Sequence, residues 1–245
     1  MLIHVHNLVK RFGEKTILRR LDFDVQAGEF VALLGPNGAG KSTFLRILAS
    51  LSRPTLGEVQ IAGYTLPAQA AEVRIRLGVV SHSPLLYDDL SAEENLRFFG
   101  RLYSVPGLTA RINEILDLVG LSPRRTDLVR TFSRGMQQRL AIGRAVLHDP
   151  EVLLLDEPHT GLDQDACDML DRILLQVAAR GRTVVMTSHD LARAASLAGR
   201  FDVLSYGRIQ ASIQSYQLPM DGLPAFYRHA LEQPRQAENG EGYHD

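Results

Sequence analysis

The sequence predicts an α/β fold: a mixed, largely parallel sheet core, an antiparallel β-subdomain at the N-terminus and an inserted helical lobe. Three observations predict it. Short apolar and β-branched segments alternate with helical spacing in the first and last thirds of the chain. That alternation breaks off between about residues 85 and 150, where helical periods dominate. A glycine-rich loop, Gly35 to Ser42, lies between an apolar strand and a helix.

Residues 2–9, 16–25 and 30–34 read as strands, separated by the turn residues Gly13 and Gly28. From Lys41 onward, Phe44, Leu45, Leu48 and Leu51 fall at helical spacing, and residues 57–61 form a short strand. Residues 68–76 predict a brief helix before a strand at 77–81. In the lobe, Ser91 and Glu94 have the spacing of a capping box, and residues 110–119 repeat the helical period. A strand at 152–155, a helix over 163–179, a strand at 183–187 and a helix over 191–198 restore the alternation. Strands at 201–204 and 208–213 complete a domain expected to span residues 1–213. Residues 214–245 read as a polar tail, with disorder expected over the last dozen. No internal repeat is visible, so the chain carries one such unit.

Lys and Arg number 27 against 28 acidic residues, a formal net charge of −1. No global basic field is present to recruit nucleic acid or anionic lipid. The single cysteine, Cys167, cannot form an internal disulfide, and the N-terminal residues lack the basic-then-apolar order of a secretion signal. The cytoplasm is therefore the expected compartment. The apolar runs 30–34 and 152–155 fall far short of the roughly 20 residues that cross a bilayer. Any membrane role is expected to be peripheral.

Gly35-Pro36-Asn37-Gly38-Ala39-Gly40-Lys41-Ser42 matches glycine, four residues, glycine, lysine, then serine or threonine. Its glycines let backbone N–H groups wrap a phosphate, and the helix that follows adds the positive end of its dipole. Lys41 is expected on β- and γ-phosphate oxygens, Ser42 on Mg²⁺ and Thr43 beside the phosphates. The strand at 152–155 ends in Asp156 and Glu157. A buried strand delivering carboxylates to a sheet edge suits metal binding by Asp156 and water activation by Glu157. His189 ends the next apolar strand and is expected to reach the γ-phosphate from the same edge.

Three more segments narrow the reading: Thr131-Phe132-Ser133-Arg134-Gly135-Met136-Gln137-Gln138-Arg139, Gly161-Leu162-Asp163 and Ser188-His189. With the sites above, they resemble the ATPase domain of ABC transporters over about residues 2–213. The resemblance implies ATP hydrolysis between two cassettes. Ser133 and Gly135 of one subunit would cap the γ-phosphate held by the other, consistent with a hydroxyl and free N–H groups at a helix start. It implies that Phe12 stacks on adenine, that Asp163 communicates across a homodimer, and that transmembrane permease subunits dock near residues 82–93. The sequence departs from the family's usual Leu-Ser-Gly-Gly-Gln, with Phe132, Arg134 and Met136 at its first, third and fifth positions. His82 replaces a glutamine that senses Mg²⁺ and water, which predicts an added pH dependence between about 6 and 7.

Residues 81–95 and 132–142 most resemble the ATPase of haem exporters in cytochrome c maturation. That resemblance implies a peripheral subunit on the cytoplasmic face of the cell membrane. Exporters of drugs, lipids or polysaccharide use similar stretches and stay open as alternatives. Soluble relatives acting in DNA repair or on ribosomes fit less well. The interval from Ser42 to Ser133 has no sustained heptads, and only one cassette is present. No nucleic-acid partner is expected.

Overall fold

The computed structural model describes residues 1–81 and 83–232. His82 and the last residues of the expected tail lie outside them. A four-stranded antiparallel sheet is ordered β2-β1-β4-β5, from β1 (Ile3–Phe12), β2 (Lys15–Val25), β4 (Leu56–Ile61) and β5 (Tyr64–Leu66). The main sheet runs β10-β9-β3-β8-β7-β6. Its strands are β3 (Phe30–Leu34), β6 (Leu77–Val80), β7 (Val152–Asp156), β8 (Thr183–Ser188), β9 (Arg200–Ser205) and β10 (Arg208–Gln214). All pair in parallel except β10, which lies antiparallel on β9.

Strands β3 and β7 are almost wholly apolar, and together with β8, whose Thr183, Thr187 and Ser188 are buried polar residues, they are covered on both faces of the sheet. On one side lie α1 (Lys41–Leu48) and the antiparallel sheet, where Phe44, Ile47 and Leu48 pack with Ile3, Leu18 and Ile61. On the other lie α5 (Arg134–Val146), α6 (Gln164–Ala179) and α7 (Leu191–Leu197). The lobe is built from α3 (Ala92–Leu102), α4 (Leu108–Leu118) and the start of α5. The expected capping box opens α3: Glu94 N–H donates to Ser91 Oγ at 3.2 Å, and Ser91 N–H donates to Glu94 Oε2 at 2.8 Å.

Two stretches differ from the sequence expectation. Helix α1 stops at Leu48 because Ser50 turns left-handed (φ 59°), so Leu51 leaves the apolar face and is exposed. The stretch from 214, which reads as polar tail, holds α8 (Gly222–Glu232), which buries Leu223 and Ala230 in the main core. Helix α2 (Ala70–Ile75) and β5 complete the elements.

Candidate functional site

The phosphate-binding loop folds as it does because side chains are excluded from it. A Cβ on Gly35 would stand 2.1 Å from Leu204 O of β9, which leaves room only for glycine. Gly40, at φ 109°, is the left-handed N-cap of α1 and has no side-chain cap. The first N–H groups of α1, at Lys41, Ser42 and Thr43, thus open toward the loop formed with Asn37 and Gly38. The Lys41 ammonium is buried, and it donates to Gly35 O at 2.7 Å and Pro36 O at 3.2 Å. Burial lowers its pKa, while Glu157 and Asp156 oppose that shift. Glu157 Oε1 lies 3.9 Å from its nitrogen.

Strand register brings the acidic pair to the same edge. Leu34 of β3 is level with Ser188 of β8, and Asp156 of β7 is level with Thr187. Ser42 Oγ donates to Asp156 Oδ1 at 3.0 Å, and Thr187 Oγ1 donates to the same oxygen at 2.8 Å. Thr187 Oγ1 also accepts from Glu157 N–H at 2.9 Å. Glu157 itself is left-handed (φ 47°), a conformation that costs a non-glycine residue about 1 kcal/mol or more. Its Oε2 accepts from Thr160 Oγ1 at 3.2 Å and lies 3.2 Å from His189 Nδ1.

Ser42, Asp156, Glu157, Lys41 and His189 are therefore brought together. The hydroxyl of Ser42 and the carboxylate of Asp156 are hard oxygen donors of the type Mg²⁺ takes. Among the described residues, no group of three or more His, Cys, Asp or Glu is placed to hold a metal. A fit to Mg²⁺ thus relies on phosphate and water for the remaining ligands, the usual pattern for this ion.

Ser133, Gly135 and Asp163 stand apart from that cluster. Ser133 is the exposed N-cap of α5, with its Oγ accepting from Met136 N–H at 3.3 Å. Asp163 caps α6 in the same way, accepting from Ala166 N–H at 2.8 Å. The two helix starts lie side by side, since a Cβ on Gly135 would meet Ala166 Cβ at 2.9 Å. Among the described residues, no hydrogen bond or ion pair joins Ser133 or Gly135 to residues 35–42. Phe12 ends β1, 55% exposed as a residue, with the Lys10 ammonium 4.7 Å from its ring centroid.

Thr187 and Thr160 were not among the expected site residues. A polar residue closing an apolar strand just before Ser188-His189 was the available signal for Thr187. Thr160 has no comparable mark, because its bond depends on how the chain turns after Glu157.

A glycine-rich phosphate loop, a strand-borne acidic pair and a histidine on one sheet edge define a phosphate-loop nucleoside triphosphatase. The family model described as ABC transporter matches residues 18–160. A Nod factor export ATP-binding protein of Ralstonia nicotianae is 37% identical over 219 residues, covering 89% of this chain and 68% of that protein. A linearmycin resistance ATP-binding protein of Bacillus subtilis is 35% identical over 212 residues, covering 86% and 68%. A solved structure of the ATP-binding subunit of an ABC transporter superposes with a TM-score of 0.86 at 30% identity, covering 95% of this chain and all of that one. A dimeric post-hydrolysis ATP-binding cassette with ADP and Pi superposes at 0.79 and 28% identity, covering 87% and 99%. The chain belongs to the ABC transporter family, as an ATP-binding, ATP-hydrolysing subunit. The two relatives' names are those of Nod factor export and linearmycin resistance, whereas the sequence stretches pointed to haem.

Proposed function

We propose that this chain is the motor subunit of an exporter and works as a homodimer that hydrolyses MgATP at two shared sites. The observation that carries this is the separation of two complementary half-sites. Lys41, Ser42, Asp156, Glu157 and His189 converge at the sheet edge, while Ser133 lies exposed at the start of α5, with half-buried Gly135 against the start of α6. The functional unit runs from residue 1 with the lobe at 85–150 inserted, and α8 (Gly222–Glu232) packs on its main core beyond the expected end at 213.

In this reading ATP lies along the loop with adenine against Phe12. Lys41 exchanges the carbonyls of Gly35 and Pro36 for phosphate oxygens. Ser42 and Asp156 would hold Mg²⁺, which supplies charge neutralisation on the phosphates. Glu157 takes the proton of the attacking water, and its carboxylate is aimed by Thr160 and His189. Ser133 and the first N–H groups of the partner's α5 close on the γ-phosphate, with Asp163 near the junction. Hydrolysis then loosens the dimer and moves the lobe.

The lobe also supports a membrane contact. Leu85, Tyr87, Phe98 and Leu102 are large, apolar and exposed, and the Tyr87 and Phe98 rings meet edge-on at 5.0 Å. Buried Asn95 pins the loop beneath them, accepting from Tyr87 N–H at 2.8 Å and donating to Tyr87 O at 2.9 Å. Among the described residues, no helix is long and apolar enough to cross a membrane. We assign this face to permease subunits, which would hold the chain peripherally on the cytoplasmic side. His82, expected near the metal-bound water, lies outside the described residues.

The names of the relatives favour a cargo handled like Nod factor or linearmycin over haem. Deleting the gene for this chain and measuring c-type cytochromes tests that. Unchanged cytochromes support the first reading, and their loss restores haem. For the ATPase cycle, Glu157→Gln in excess MgATP should run as a dimer in size-exclusion chromatography. A Glu157→Gln protein that stays monomeric overturns the shared-site reading.

A further inference from the structure

Helix α5 starts at the exposed Ser133 and ends over β6, the last strand of the main sheet. Among the described residues β6 pairs only with β7, so its outer backbone groups need partners from elsewhere. Two side chains of α5 and its C-terminal extension supply them. The Arg144 guanidinium donates to Val79 O at 2.7 Å, and one turn later His148 Nε2 lies 3.0 Å from Leu77 O.

The same two side chains also take hold of α3. The Arg144 guanidinium lies 5.1 Å over the Phe99 ring, and the His148 imidazole stacks on Tyr103 at 3.9 Å and 6°. Four-residue spacing on both helices and two-residue spacing on the strand place these contacts as two rungs. Between the rungs, a Cβ on Gly78 would fall 2.3 Å from Ala145 O, so only glycine admits α5 this close.

The rung through Arg144 is made with a cation. Among the described residues, Arg144 has no carboxylate partner, and its Nε is buried without a hydrogen bond. An uncompensated buried cation is costly, and an apolar residue would fill the seam at less cost. What the cation adds is direction: it binds a backbone oxygen and a ring face simultaneously. That ring, Phe99, lies 5.2 Å edge-on from Phe98 in the exposed apolar face.

We propose that Arg144 is a positioning residue that couples the permease-docking face of α3 to the phosphate-capping start of α5, with His148 as the second rung. This rests on the docking and shared-site readings above. Displacement of α3 by a membrane subunit is passed through Phe99 and the guanidinium to the helix that begins at Ser133.

The test uses the native complex, co-purified with its membrane subunits, carrying Arg144→Met or Arg144→Lys. Arg144→Met should co-purify as wild type does, and the full chain alone should keep its basal ATPase and ATP KM. Its amide exchange should rise at residues 77–80 and 96–102, and stimulation of ATPase by the membrane subunits should fall by about tenfold. Arg144→Lys, which can still donate to Val79 O, should recover part of the stimulation. Faster exchange with undiminished stimulation overturns the coupling role, and unchanged exchange overturns the clamp itself. Phe98→Asp separates the readings: co-purification as complete as wild type would overturn the docking face while the exchange result still judges the seam.

Discussion

At the carboxyl edge of the main sheet, Ser42, Asp156, Thr187, Glu157, Thr160 and His189 hold one another through side-chain hydrogen bonds before any partner arrives. In the helical lobe, Ser133 and Gly135 have little besides their own helix start and the neighbouring start of α6. One half-site is preorganised by strand register, and the other is a surface waiting to be used. In the proposed cycle, chemistry and assembly fall on different elements: the sheet edge would set how fast ATP is cleaved, and the lobe would set whether two chains meet.

The largest expected effect attacks the preorganised half. Removing the base in Glu157→Gln should lower kcat by roughly 10² to 10⁴ and leave ATP binding intact, checked by phosphate release and nucleotide titration. Hydrolysis at wild-type rate would show that the network around Glu157 is ornamental to the reaction.

The second prediction concerns how the lobe is attached. Burial holds the His148 imidazole down to about 4, below the 6.5 of an exposed histidine. The unfolded chain therefore binds more protons between those values, and stability falls as pH drops through that window. The difference amounts to at most about 3 kcal/mol. His148→Phe keeps a ring against Tyr103 and removes the titration, so urea unfolding at pH 7 and pH 5 should show a flatter dependence than wild type.

A smaller effect sharpens the other half. Ser133→Ala should slow steady-state hydrolysis by about tenfold through loss of one charge-assisted hydrogen bond, with monomer ATP affinity unchanged. Weakened binding of ATP by the monomer would mean that Ser133 serves its own loop after all. The smallest belongs to Phe12→Ala, where losing the exposed ring should weaken ATP binding by about threefold in isothermal titration.

The sheet-edge half was the more legible of the two. Its glycines, lysine and acidic pair are local patterns whose chemistry follows from short-range spacing. The order of strands was less so: nothing local says that Thr187 will stand beside Asp156, because that needs the β7–β8 register. Helix α8 shows a different obstacle. Leu223, Phe226, Tyr227, Ala230 and Leu231 do have helical spacing, but the polar run after them made the whole stretch read as tail. The seam of Arg144, His148 and Gly78 left the weakest trace. An arginine and a histidine four apart on a helix look like a solvated face until the edge strand beneath them is known.

The left-handed backbone at Glu157 has a consequence for stability. Glycine there would relieve about 1 kcal/mol of conformational discomfort and erase the base in a single substitution. Against that relief, glycine would also strip the carboxylate from Thr160 and His189 and leave buried Lys41 with one negative neighbour fewer. The strained backbone and the carboxylate's bonds thus pull stability in opposite directions at a single residue.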